Sequence, residues 1–134
     1  MSTIQRFEDI VAWRKARELT RLIYVATKDG IFAKDFGLRD QLRRAAVSVM
    51  SNIAEGYERG GDKELIQFLS LAKGSCGEIR SQLHVALDQR YLTEAQFKDL
   101  YGRTEEISRL VAGFMSYLKN SGLKGPKYKP TLPP

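Results

Sequence analysis

Residues 65–86 read LIQFLSLAKGSCGEIRSQLHVA. Leu65, Leu69, Ala72, Cys76, Ile79, Leu83 and Ala86 follow one another at alternating intervals of four and three. That spacing lines one side of an α-helix with apolar groups. A seven-residue repeat held this long belongs to nearly antiparallel helices packed with a left-handed twist. The pattern predicts a helix over 63–89, with Asp62 as its cap and Glu64 in its first turn, where a carboxylate meets the positive end of the helix dipole.

The same reading extends in both directions. Downstream, Phe97, Leu100, Thr104, Ile107, Val111, Phe114 and Leu118 predict a helix over 94–119. Thr93 and Gln96 have the spacing of a capping box, and Leu92 with Phe97 that of a hydrophobic staple. Upstream, Leu38, Leu42, Ala45, Val49 and Ile53 predict a helix over 36–58, capped by Asp35 and closed by Gly56, Gly60 and Gly61. Ala12, Ala16, Leu19, Ile23 and Ala26, widened by Trp13 and Leu22, predict a helix over 9–29 with Gly30 as its stop. All four prolines lie at or beyond Pro126, so none interrupts these segments. Alternating strand patterns are absent. Four long amphipathic segments with short connections predict an all-α, antiparallel, up-down-up-down four-helix bundle over 1–119. Residues 120–134, rich in proline and lysine, have the composition of a short disordered basic tail.

The totals narrow the class. A chain of 134 residues can bury one core, and 43% hydrophobic with 28% charged content is that of a soluble globular domain. No apolar run approaches the ~20 residues that span a bilayer. The start of the chain lacks a secretory pattern, and the single cysteine, Cys76, has no intrachain partner, so a cytoplasmic setting without membrane contact is expected. The formal charge is +6. Five cations and no acid follow residue 106, so the excess sits near the C-terminus and favours polyanions weakly.

Residues 43–61, RRAAVSVMSNIAEGYERGG, pose the functional question. Arg44, Ser48, Asn52 and Glu55 form a polar ridge on one helix face, and Arg59 follows Glu55 by four. Catalysis there would need a base beside Ser48 or Ser51. The only histidine, His84, lies on another segment, about 12 Å along the axis from Cys76. No catalytic set, metal site or cofactor is therefore expected; one His and one Cys do not make a zinc site. Small residues offer another reading. Ala45, Ala46, Ser48, Ser51, Ala54 and Gly56 thin one helix, and Ser70, Gly74, Gly77 and Ser81 thin the next. A glycine inside a helix costs roughly 1 kcal/mol relative to alanine, so two in one turn imply a close approach between helices or between subunits. Arg44, Asn52 and Glu55 are then expected to satisfy one another or backbone groups at that contact.

FEDIVAWRKARELTRLIY, followed by GLRDQLRRAAVSVMSNIAEGYERGGDKELIQFLSLAKGSCGEIRSQL, resembles the four-helix-bundle family encoded by intervening sequences in bacterial 23S rRNA genes. The resemblance spans residues 7–118. It is most specific in Gln41 to Gly56, Arg59, Gly74 and Ser75. It implies a small cytosolic bundle that assembles as a ring-like homopentamer. A related branch, the accessory variability determinant of diversity-generating retroelements, partners a reverse transcriptase and has a basic surface suited to nucleic acid. For most members no biochemical activity is established. Two departures stand out: IFAKDFGL replaces the usual proline-containing turn, and GSCGEIR replaces the usual continuation of the Gly-Ser motif.

A second surface is legible without the resemblance. Arg14, Arg17, Arg21 and Lys28 share one helix face, nearly opposite the apolar stripe, with Glu18 at its edge. A solvated face and a phosphate-binding face both fit; arginine suits the second because its planar fork grips two phosphate oxygens. Arg39 and Arg43 extend the set. Trp13, Phe7, Phe68, Phe97 and Phe114 read as core or interface. Tyr57, Tyr91, Tyr101 and Tyr128 have rings suited to base stacking, without a recognised RNA-binding motif to organise them. The expectation is a non-enzymatic, oligomeric scaffold or accessory protein with weak binding to RNA, DNA or a nucleic-acid enzyme. A purely structural oligomer, or an enzyme with an unrecognised site near Asn52 and Glu55, are the alternatives.

Overall fold

In a computed structural model of the chain, residues 3–121 are described. A 3-10 turn, Phe7–Asp9, precedes α1 (Val11–Ala26), α2 (Gly30–Lys34), α3 (Phe36–Glu58), α4 (Asp62–Asp88) and α5 (Glu94–Ser121). The four long helices form an antiparallel bundle in which α1 packs on α3 and α5, and α4 on the same two. The 27 residues of α4 extend about 40 Å. Residues 122–134, most of the expected tail, lie outside the described residues.

The core follows the apolar spacing. All seven stripe residues of α4 are fully buried. Leu100, Thr104, Ile107, Val111, Phe114 and Leu118 face them from α5, Leu42, Ala45, Val49 and Ile53 from α3, and Ala12, Ala16, Leu19 and Ile23 from α1. Thr104 is tolerated there because its hydroxyl donates to the Leu100 carbonyl at 2.7 Å within its own helix. Ile4 and Ile10, outside every predicted stripe, are also buried, and the buried Tyr57 donates a hydrogen bond to the Ile4 carbonyl at 3.5 Å.

The helix ends differ from expectation in four places. The first helix stops at Ala26, not residue 29: the hydroxyl of buried Thr27 donates to the Ile23 carbonyl at 2.7 Å and turns the chain. Gly30 is not a stop but opens the short helix α2, at φ +73. Asp62 does not cap α4; Gly61 occupies the cap position and Asp62 is the first helical residue. Gly56, expected in the terminating turn, lies inside α3, and the turn itself uses Gly60 at φ +92.

Two other caps form as the spacing predicts. The Asp35 carboxylate accepts from the Leu38 amide at 3.1 Å. Thr93 and Gln96 exchange bonds, Gln96 N to Thr93 Oγ1 at 3.1 Å and Thr93 N to Gln96 Oε1 at 2.8 Å. A link of long sequence range joins these ends: the Tyr91 hydroxyl donates to the second oxygen of Asp35 at 2.9 Å, and its ring stacks on Phe32.

Candidate functional site

The polar ridge of α3 separates into two clusters. In its middle, Ser48 Oγ and Ser75 Oγ on α4 lie 3.0 Å apart, and the Asn52 amide donates to both the Ser48 carbonyl (2.9 Å) and Ser48 Oγ (3.0 Å). This half-buried network ties α3 to α4 and satisfies its polar atoms locally. One turn on, Glu55 is exposed and pairs with Arg59 at 2.9 Å, with Glu64 3.9 Å from the same guanidinium. Arg59 also lies over the Phe68 ring at 5.1 Å. Arg44 is exposed and makes no ion pair among the described residues. Asn52 thus finds a backbone group, one of the two outcomes expected, while Glu55 pairs with Arg59 and Arg44 stands apart; none of the three bonds another.

The glycines separate as well. A methyl at Gly56 would lie 2.7 Å from Phe68 Cβ and 3.0 Å from Leu65 Cδ1, so α3 and α4 approach closely here and only glycine fits. Gly74 is exposed with nothing within 4 Å of the same test position, and at Gly77 the nearest atom is Arg80 Nη2 at 4.0 Å. The small-residue face of α3 does meet α4, at Gly56 and Ser48, but against Phe68, Leu65 and Ser75; the expected face of α4 takes no part, since Ser70, Gly74 and Ser81 are exposed and Gly77 is only half-buried. Exposed Leu71 and Val85 share that outer side of α4.

The basic set also divides. Arg14, Arg17 and Arg21 are exposed along α1. Lys28 is exposed but lies in the turn beyond Ala26, so helical spacing does not place it. Arg14 donates to the Glu8 carbonyl at 3.0 Å, and Arg17 lies 6.0 Å over the Trp13 ring. Glu18 grips Arg21 through both carboxylate oxygens, at 2.7 and 3.0 Å. The Arg21 hydrogen bond holds the Glu18 carboxyl below its ordinary range and raises Arg21 in return. Glu18, at the edge of the stripe, is thus the counter-ion of Arg21. Arg39 and Arg43 are half-buried and anchored: Arg43 donates to the Thr27 hydroxyl (2.8 Å) and carbonyl (3.2 Å), closing the end of α1, and Arg39 donates to the Ala33 carbonyl (3.0 Å) and Asp40 (2.9 Å).

Sequence spacing missed the neighbours that α5 brings to the stripe. A cleft of about 390 Å³ between α1 and α5 is lined by Arg14, Lys15, Glu18, Arg103 and Glu106, with Lys15 and Glu106 paired at 3.3 Å. Their closeness depends on helix pairing and leaves no local signature. Among the tyrosines, Tyr57 is core and Tyr91 is engaged with Phe32 and Asp35, so neither offers a ring to a base. Tyr101 is half-buried against Phe97 and His84. Tyr128 lies outside the described residues. His84 packs on Phe97 at 5.0 Å, and Cys76 is buried about two turns earlier on α4. Among the described residues no three His, Cys, Asp or Glu side chains gather as a metal-binding group, and no helix is long and apolar enough to cross a membrane.

Fold and surfaces define the class: an antiparallel helical bundle that carries its distinctive polar chemistry on outward faces, one basic and one of small residues. The 23S rRNA-intervening sequence protein model matches residues 8–113, and the chain belongs to that family. Its fold is similar to the crystal structure of a protein of unknown function from the S23 ribosomal protein family of Bacteroides thetaiotaomicron, with a TM-score of 0.72 and 21% identity over 79% of this chain and 96% of that one. No curated protein matches the chain.

Proposed function

We propose that this protein is a non-enzymatic, oligomeric scaffold or accessory protein of the cytoplasm. Its α1 face meets nucleic acid or a nucleic-acid enzyme, and its outer α4 face meets other copies of the chain. The observation that carries the first half is the exposed row Arg14, Arg17 and Arg21, continued by Lys28. Repetition of that row around a homopentamer, the assembly implied by the family resemblance, multiplies a weak patch through effective concentration. Gly74 and Gly77 support the second half. Each sacrifices helix stability without a neighbour among the described residues that requires it.

The test has two arms. Light scattering of the parent is expected to give five times the 15.2 kDa chain mass, and Gly74→Leu a smaller particle with unchanged helicity. Binding of RNA or DNA is expected to weaken with salt and to be lost in Arg14/Arg17/Arg21→Glu with assembly intact. A second reading, a purely structural oligomer, is favoured by the bidentate Glu18–Arg21 pair and the Arg14–Glu8 bond, which occupy part of the row. Salt-independent absence of binding by the intact oligomer would select it.

A further inference from the structure

Among the described residues, four of the seven large apolar side chains that are exposed lie between residues 24 and 36: Tyr24, Val25, Ile31 and Phe36. They gather where α1 ends, α2 crosses and α3 begins. Tyr24 and Phe36 are 43% and 63% exposed, unusual for rings on a small bundle. Each carries a guanidinium over its face: Arg43 lies 4.4 Å from the Tyr24 centroid and Arg39 4.8 Å from that of Phe36. Neither arginine is loose. Thr27 holds Arg43 by two hydrogen bonds, and the Ala33 carbonyl and Asp40 hold Arg39. Arg39 and Arg43 are one turn apart on α3, so the two stacks follow one another by about 6 Å along that helix.

This patch continues the basic row. At 100° per residue, Arg17, Arg21 and Tyr24 fall within about 60° of one another on α1, and Lys28 lies just past its end. Cations and flat apolar surfaces therefore alternate along one side of the molecule. The nearby acids are mostly committed: Glu18 to Arg21, Asp40 to Arg39, and Asp35 to the Leu38 amide and Tyr91. Asp29 remains at the patch. Alternation of cations with stackable planes is what an unpaired strand requires, since phosphates repeat along it and every base has a π-face. A duplex keeps its bases inside and would meet only the cations.

Resting on the nucleic-acid reading above, we propose that the end of α1 and the start of α3 form a stacking site for unpaired bases of a single-stranded nucleic acid. Tyr24 and Phe36 are the platforms, Arg43 and Arg39 back them, and Arg17, Arg21 and Lys28 contact the phosphates. Because the guanidiniums are already anchored, little side-chain order is lost on binding.

The experiment measures anisotropy of a labelled short oligouridylate, and of a duplex of the same length, with the full chain at two salt concentrations. Tyr24→Leu/Phe36→Leu keeps apolar bulk and removes both rings. It is expected to weaken single-strand binding about tenfold or more with the salt slope unchanged and duplex binding unaffected. Arg17→Glu/Arg21→Glu is expected to weaken both ligands and flatten the slope. Helicity and particle size are checked for each variant. Equal binding of strand and duplex, or ring variants that bind like the parent, overturns the stacking site and leaves the basic-row reading standing. No binding of either ligand at low salt removes both. Binding of polyglutamate alone, sensitive to the ring variants, overturns it in favour of an acidic protein partner.

Discussion

Gly56 and Gly74 lie on neighbouring helices, and each breaks helix propensity inside a long segment. Gly56 is buried, with α4 so close that a methyl would press into Phe68 and Leu65. Gly74 is exposed and the space around it is open. The same residue type is thus required from inside the chain in one place and is not in the other. A glycine in a sequence reports only that something small is wanted; packing identifies the neighbour. The seam between α3 and α4 is completed by the chain itself, through Gly56, Ser75 and Asn52. The outer face of α4 is not.

Three measurements can break or sharpen this contrast. The largest effect is expected at Gly56. Gly56→Val places branched carbons against Phe68 Cβ, and overpacking of this kind is expected to cost about 3 kcal/mol, lowering Tm by about 10 °C in thermal unfolding. A variant as stable as the parent would mean the seam opens without penalty.

Next is Cys76, two residues from Gly74 but turned inward. Burial pushes its thiol up from 9.0 to about 11, with Arg80 and Lys73 opposing in part. The folded state holds this proton more tightly than the unfolded chain does. Its contribution is therefore intact below pH about 9 and is lost as the pH rises toward about 11. Two units correspond to about 2–3 kcal/mol. Denaturant titrations are expected to show stability falling over that window more steeply in the parent than in Cys76→Ala. Parallel curves would place the thiol in contact with water.

The smallest effect, of opposite sign, is expected at Gly74. Gly74→Ala meets nothing among the described residues of one chain, so at dilutions where the chain is a monomer helix stability should rise by up to about 1 kcal/mol in denaturant melts. At concentrations where copies assemble, the gain should shrink or reverse; an equal gain at both concentrations would mean that no other copy packs on Gly74.

The sequence made the bundle legible because one helix face repeats. The α4 stripe, from Leu65 to Ala86, is buried at every predicted position. The Thr93–Gln96 box was legible for the same reason, since its partners are three residues apart. Contacts set by tertiary approach were not. Arg43 reads as a surface cation until Thr27, sixteen residues earlier, is seen to receive it. Tyr91 and Asp35, fifty-six residues apart, carry no shared local signal. Tyr57 reads as an available ring until the N-terminal arm covers it. Tyr24 could have been found: it lies on the face of the basic row, seven residues after Arg17. Glu18 was visible too, but only its geometry shows that it neutralises Arg21.

Asp35 has one further consequence. Its two oxygens serve two masters, the first turn of α3 and the hydroxyl at the α4–α5 corner. Fraying at either place deprives the other of an acceptor held in position. The two corners should therefore open as one unit, with amide exchange near Leu38 accelerating when Tyr91 is replaced by phenylalanine, although that change touches no atom of the helix it loosens.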